Sequence, residues 1–219
     1  MSQFTGLVHS QNYEWDSNLP NYDNRLMHYG FTIGLNTTRF RAIRSPAYFP
    51  GDSIIAIKTP SKAGFSLGFI MNLRLGDYLD LRLTPDVAFF ERTVEFTFGS
   101  GRQSKQTAES VFIETPLMLK YKSMRRHNNR MYLVGGIKPA IEAGAKKKEK
   151  KKNELRTNNM DFSIDYGVGL DLYFKFFKFA PELRFSHSLV NILNKDPNPY
   201  SESLLKLTTH TVTLYLHFE

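Results

Sequence analysis

The chain has 219 residues, no cysteine, 18 Phe and 11 Tyr, and a formal net charge of +8. The lack of cysteine excludes a disulfide framework, a thiolate metal site and a cysteine nucleophile. No apolar run reaches the roughly 18 residues of a transmembrane helix. Most of the basic excess sits in one run, Lys146, Lys147, Lys148, Lys150, Lys151 and Lys152, and about +3 remains without it and Glu149, which argues against a nucleic-acid-binding face.

Residues 1–27 are polar and aperiodic and read as an N-terminal extension; residues 28–219 read as one β domain. From His28 the chain takes a period of two. Tyr29, Phe31, Ile33 and Leu35 alternate with Gly30, Thr32, Gly34 and Asn36, as a strand with one apolar face requires. Residues 39–62 carry three prolines and read as a loop. The second strand alternates Phe65, Leu67, Phe69, Met71, Leu73 and Leu75 with small and polar residues. After Gly76-Asp77 the third sets Leu79, Leu81, Leu83, Val87 and Phe89 against Asp80, Arg82, Thr84, Asp86 and Arg92.

Residues 97–108 read as a second long loop. The fourth strand follows, with Val111, Ile113, Thr115, Leu117, Leu119 and Tyr121 opposite Ser110, Glu114, Lys120 and Lys122. A turn at 124–129 leads to the fifth, with Met131, Leu133, Ile137 and Ile141 outward; its two adjacent glycines weaken the alternation. The lysine-rich connection 143–159 comes next. The sixth strand sets Phe162, Ile164, Tyr166, Val168, Leu170 and Leu172 against Asp161, Asp165 and Asp171. The seventh sets Phe179, Leu183, Phe185 and Leu189 against Glu182, Arg184, Ser186 and Ser188. After a loop at 191–203, the last runs to the end of the chain, with Val212, Leu214, Leu216 and Phe218 on one face.

Eight strands of about 10 to 13 residues are long enough to cross a bilayer when tilted. Their connections alternate long and short, the pattern of a barrel with short periplasmic turns and long extracellular loops. The polar face carries Asp80, Arg82, Asp86, Arg92, Glu114, Lys120, Asp165, Asp171, Glu182 and Arg184. In lipid that face fills the lumen, which in a barrel of eight strands is just wide enough for side chains. The expected fold is an all-β, eight-stranded, antiparallel, up-and-down transmembrane barrel in the outer membrane, with both termini in the periplasm. Tyr29, Tyr78, Tyr121, Tyr173, Phe174, Phe176 and Phe177, near strand ends, are expected to form an interfacial girdle. MSQFTGLVHS lacks the basic and apolar regions of a signal peptide, so this fold requires a leader removed before Met1.

Several stretches resemble the PorT family: NLPNYDNRLMHYGFTIGLN (18–36), GDYLDLRLTPDVAFFERTVEF (76–96), ESVFIETPLMLKYKS (109–123), DFSIDYGVGLDLYFKFFKFAPELRFSHSLVNIL (161–193) and the terminal HTVTLYLHFE. PorT is an outer-membrane barrel protein of the type IX secretion system in Bacteroidota. The resemblance implies a non-enzymatic component needed for secretion, and for motility in gliding species, with other secretion proteins as partners. The alternative is a general small barrel binding a lipid, ligand or surface partner.

The chemistry of single residues favours neither catalysis nor a cofactor. The luminal acids, including the pairs Asp165 with Asp171 and Asp86 with Glu114, read as fillers ion-paired to Arg82, Arg92, Arg184 and Lys120, because unpaired charge is costly to bury. Six histidines show no metal-ligand spacing. Ser186, His187 and Ser188 alternate faces, so they build no Ser–His dyad. A rim-site hydrolase is a third, weaker class. The lysine run reads as a solvated loop, or as a surface that meets phosphates of lipopolysaccharide. In the N-terminal extension, Leu19, Pro20, Asn21, Tyr22 and Asp23 suit an extended segment that docks a partner.

Overall fold

A computed structural model describes residues 18–44, 54–143, 159–191 and 204–219. Eleven strands form one antiparallel sheet: β1 (Met27–Arg44), β2 (Ile54–Lys58), β3 (Lys62–Arg74), β4 (Leu79–Leu83), β5 (Asp86–Phe98), β6 (Gln103–Glu114), β7 (Leu117–Lys122), β8 (Asn129–Glu142), β9 (Met160–Tyr173), β10 (Lys178–Ser188) and β11 (Leu204–Phe218). The sheet closes on itself because β1 pairs with β3 on one side and with β11 on the other. The ring has eight positions. β2 prolongs the β3 position, β4 and β5 share one, and β6 and β7 share another.

The two shared positions are continuous strands broken by proline. Leu83 pairs with Leu117 and Asp86 with Glu114, so the register carries through Pro85 and Pro116 without a slip. Proline has no N–H to give the ladder. The neighbouring strands bridge the gap through its carbonyl: Phe69 N donates to Pro85 O at 2.9 Å, Thr84 N to Pro116 O at 3.1 Å, and Thr115 N to Pro139 O at 3.0 Å. Glycine lets the sheet close up beside these breaks. A Cβ on Gly136 would lie 2.1 Å from the Leu117 carbonyl oxygen and 2.8 Å from Met118 Cα.

The faces divide by parity. Outward side chains are apolar: Leu67, Phe69, Leu119, Leu133, Val168 and Leu214 all face away from the ring. The inward face buries charge, with Arg82, Asp165, Asp171, Glu182 and Arg184 fully enclosed. A soluble barrel would reverse this arrangement; here the outer surface is one for lipid. In β8, Met131, Leu133, Ile137 and Ile141 face outward, as their spacing predicts.

Three expectations need correction. Residues 97–108 are not a long loop: β5 and β6 stay paired out to Thr97 and Gln103, and a four-residue turn joins them, with Gly101 at φ +81°. Residues 39–62 likewise contain the outer end of β1 and all of β2. Arg39 and Arg41 in one segment and Lys105 and Thr107 in the other put polar side chains on the outward face, which interrupts the apolar alternation without removing the hydrogen-bond ladder. Third, Tyr173 is buried and points inward, whereas Tyr29, Tyr78, Tyr121, Phe174, Phe176 and Phe177 are exposed around the end with the short turns.

Candidate functional site

The interior is built by strands that are distant in sequence. In the middle, Glu182 on β10 accepts from Arg82 Nη1 of β4 at 2.5 Å and from Arg184 Nε and Nη2 at 2.8 and 2.5 Å. His217 Nε2 lies 3.6 Å from the same carboxylate. Arg82 Nε also donates to Asn72 Oδ1 at 2.8 Å. Nearer the short turns, Asp171 accepts from Lys120 Nζ at 2.8 Å and Arg130 Nε at 3.3 Å, with Lys178 Nζ 3.8 Å away. Lys122 Nζ donates to Asp80 at 2.5 Å.

Toward the long connections, Lys138 Nζ lies 2.9 Å from Glu114 and 4.0 Å from Asp165, and Tyr215 Oη donates to Asp86 at 3.1 Å. Arg92 sits among the rings of Phe40, Phe90 and Phe112, 4.7 to 5.6 Å from their centres. All ten charged residues picked out on the polar face are therefore buried in the lumen. The structure joins Arg82, Arg184 and Glu182, and separately Lys120 and Asp171. It pairs Asp80 with Lys122, already on the polar face by alternation, and brings Lys138 to Glu114 and Asp165. Lys138, Lys178, Arg130, His217 and Glu219 are the missed members. Lys138, Lys178 and Arg130 share strand parity with inward neighbours, and that was the available signal.

A second cluster closes the short-turn end. Residues 19–25 form turns, with Tyr22 N donating to Leu19 O at 3.0 Å and Arg25 N to Tyr22 O at 3.2 Å. The expected extended form of this segment is thus overturned: it folds back across its own barrel. Tyr22 Oη donates to Glu219 Oε2 at 2.8 Å, and its ring stacks on His28 with centroids 4.0 Å apart. Glu219 in turn binds Lys178 Nζ at 2.9 Å and Asn72 Nδ2 at 2.5 Å. Asp23 lies 3.0 Å from Arg130 Nη1 and accepts from Arg125 Nη1 at 3.3 Å and from Tyr173 Oη at 3.3 Å. The Asp23 backbone carbonyl accepts from Arg74 Nη1. Burial alone would raise the Asp23 carboxyl, but the Arg130 charge and the Arg125 hydrogen bond outweigh it and hold it below its usual value. Pro20 and Asn21 remain exposed, while Leu19, Tyr22 and Asp23 are half-buried.

The arrangement encloses its charged side chains inside the barrel. Ser186 and Ser188 face the lumen and His187 faces outward, so no Ser–His dyad forms. Among the described residues no three His, Asp or Glu side chains gather as a metal centre requires. Lys146–Lys152 lie outside the described residues.

A family model described as "Outer membrane protein beta-barrel domain" matches residues 10–194. Among solved structures the chain is similar to the outer membrane protein OprG from Pseudomonas aeruginosa, at 12% identity over 86% of this chain and 94% of that one, with a TM-score of 0.47. It is also similar to the N-terminal β-barrel domain of OprF from the same organism, at 11% identity over 87% and 100%, with a TM-score of 0.38. For Neisserial surface protein A (NspA) the identity is 13% over 87% and 97%, with a TM-score of 0.40. No curated protein matches the sequence.

Proposed function

The chain belongs to the outer membrane protein β-barrel domain family, and on that premise we propose that it is a non-enzymatic, PorT-like component of the type IX secretion system that assembles or stabilises the translocon. The observation that carries this reading is the filled lumen. Arg82, Glu182 and Arg184 interlock across its middle, and residues 18–25 cover one end. A folded cargo has no way through such an interior, and the luminal acids Asp80, Glu114, Asp171 and Glu182 are held by cations instead of being aimed at a substrate. The stretches that resemble PorT are also those that supply Arg82, Glu114, Lys120, Asp171, Lys178 and Glu182 to the lumen. Its partners on this reading are outer-membrane lipid, lipopolysaccharide and other type IX secretion proteins.

Deleting the gene should leave type IX cargo in the periplasm and, in a gliding species, stop motility; re-expression should restore both. Normal export in the deletion strain would remove this reading. The alternative, a general small barrel that binds a lipid or surface partner, is favoured by the breadth of the family match, and it predicts that normal export.

The proposal places both termini and the turns 75–78, 123–128 and 174–177 in the periplasm. The absence of native cysteine makes this directly testable. In intact cells an impermeant maleimide should label Ser100→Cys in the turn between β5 and β6 and spare Lys175→Cys. The reverse pattern would invert the barrel.

A further inference from the structure

The outward apolar face does not end in the same way around the ring. On β1, β11 and β10 it runs to Leu35, Val212 and Phe185. The next outward residues are Thr37, His210 and His187, and β1 continues with Arg39 and Arg41, both exposed. Arg39 pairs with His210 and His210 with His187, so these three lie in one row across three neighbouring strands. Arg41 is the next outward residue on β1, about 7 Å further along the strand.

The histidines are fixed in place. His187 Nδ1 lies 2.5 Å from His210 Nδ1, and Tyr166 Oη lies 2.9 Å from His187 Nε2. Tyr166 also stacks on His187, with centroids 5.5 Å apart. With Tyr166 as donor, His187 Nδ1–H donates to His210, and His210 Nε2–H is left to face the surroundings beside the two guanidiniums. Among the described residues neither Arg39 nor Arg41 has a carboxylate partner. The outward acids of this end, Glu91, Glu95 and Glu109, lie on β5 and β6, where Glu91 pairs with Lys62 at 3.0 Å.

We infer that Arg39, Arg41 and His210 form a binding site for the phosphate of a lipid headgroup in the outer leaflet. Two guanidiniums with no carboxylate partner among the described residues, and a fixed N–H, offer directed donors to a phosphate's oxygens. Val212 and Phe185, directly below the two histidines, and Leu35, below Thr37, offer a wall to the acyl chains of the same molecule. That continuity selects a lipid over a free anion. The site rests on the orientation proposed above, in which the long connections face outward, but its chemistry can be tested without it.

The probe is diphosphoryl lipid A, with its dephosphorylated form as control, added to the purified barrel in detergent and read by native mass spectrometry after detergent exchange. The unaltered chain should retain the diphosphoryl lipid at least tenfold more than the dephosphorylated one. R39Q/R41Q should lose that preference, with folding checked by heat-modifiable migration and R41Q alone used if the double variant fails to fold. K105Q removes an exposed cation from β6 and should keep the preference. Equal retention of the two lipids by the unaltered chain, equal loss in K105Q, or displacement of the lipid by millimolar inorganic phosphate would each overturn the site. A normal result here with failed cysteine labelling would leave the site standing and move it to the other leaflet.

Discussion

At the level of single residues, the middle of the lumen replaces a hydrophobic core with ion pairs such as Arg82–Glu182 and Lys120–Asp171. Asp171 is fully enclosed and has Lys120 and Arg130 in contact. Removing one member of a buried pair leaves the other uncompensated, at a cost of about 3–5 kcal/mol. Asp171→Asn should therefore shift urea unfolding, followed by loss of the heat-modifiable band, by that amount, whereas Asp77→Asn at an exposed turn should shift it by less than about 1 kcal/mol. Asp23 gives a pH dependence. Its carboxyl is held below its usual value, so its contribution to holding residues 18–25 is complete above the ordinary carboxylate range. That contribution is lost only as pH falls below that range, through the lowered folded-state value. Proteolysis after Arg25 should stay slow at neutral pH and speed up in strong acid. Asp23→Asn should be cut faster at neutral pH already. Little of this pairing was legible in the sequence. Parity showed that Arg82 and Glu182 share the inner face, but their contact spans 100 positions and depends on how the ring closes.

The strands themselves were legible where lipid meets one face. In β9, Phe162, Ile164, Tyr166, Val168 and Leu170 face outward and Ser163, Asp165, Gly167, Gly169 and Asp171 face inward, which is the alternation written in the sequence. The signal faded where strands leave the apolar zone. Glu91, Glu95 and Thr97 continue the outward face of β5 with polar side chains, so residues 97–108 looked like a loop although the backbone is paired. The two glycines of β8 had a role that alternation could not reveal. Gly135 has open space where a Cβ would go, whereas Gly136 faces the β7 backbone. Gly136→Ala must push that backbone away and should cost about 1–3 kcal/mol, the range for overpacking. Gly135→Ala should be neutral or slightly stabilising in the same unfolding assay.

For the whole molecule, the division of faces decides the solvent. A ring with Leu, Phe and Val outside and Arg, Lys, Asp and Glu inside is stable only where its outer surface meets lipid, and closure leaves no strand edge to satisfy there. Leu133 lies mid-strand on the outward face. Leu133→Arg should lower stability in a bilayer by about 2–4 kcal/mol if it lies near the midplane. A water-facing Arg at that position would be nearly neutral. The same closed ring can be tested most directly on a gel. Protein recovered from the outer-membrane fraction should migrate differently before and after boiling, because a closed barrel resists detergent until heated. A single mobility under both conditions, with the chain recovered in the soluble fraction, would contradict the barrel and the function proposed for it.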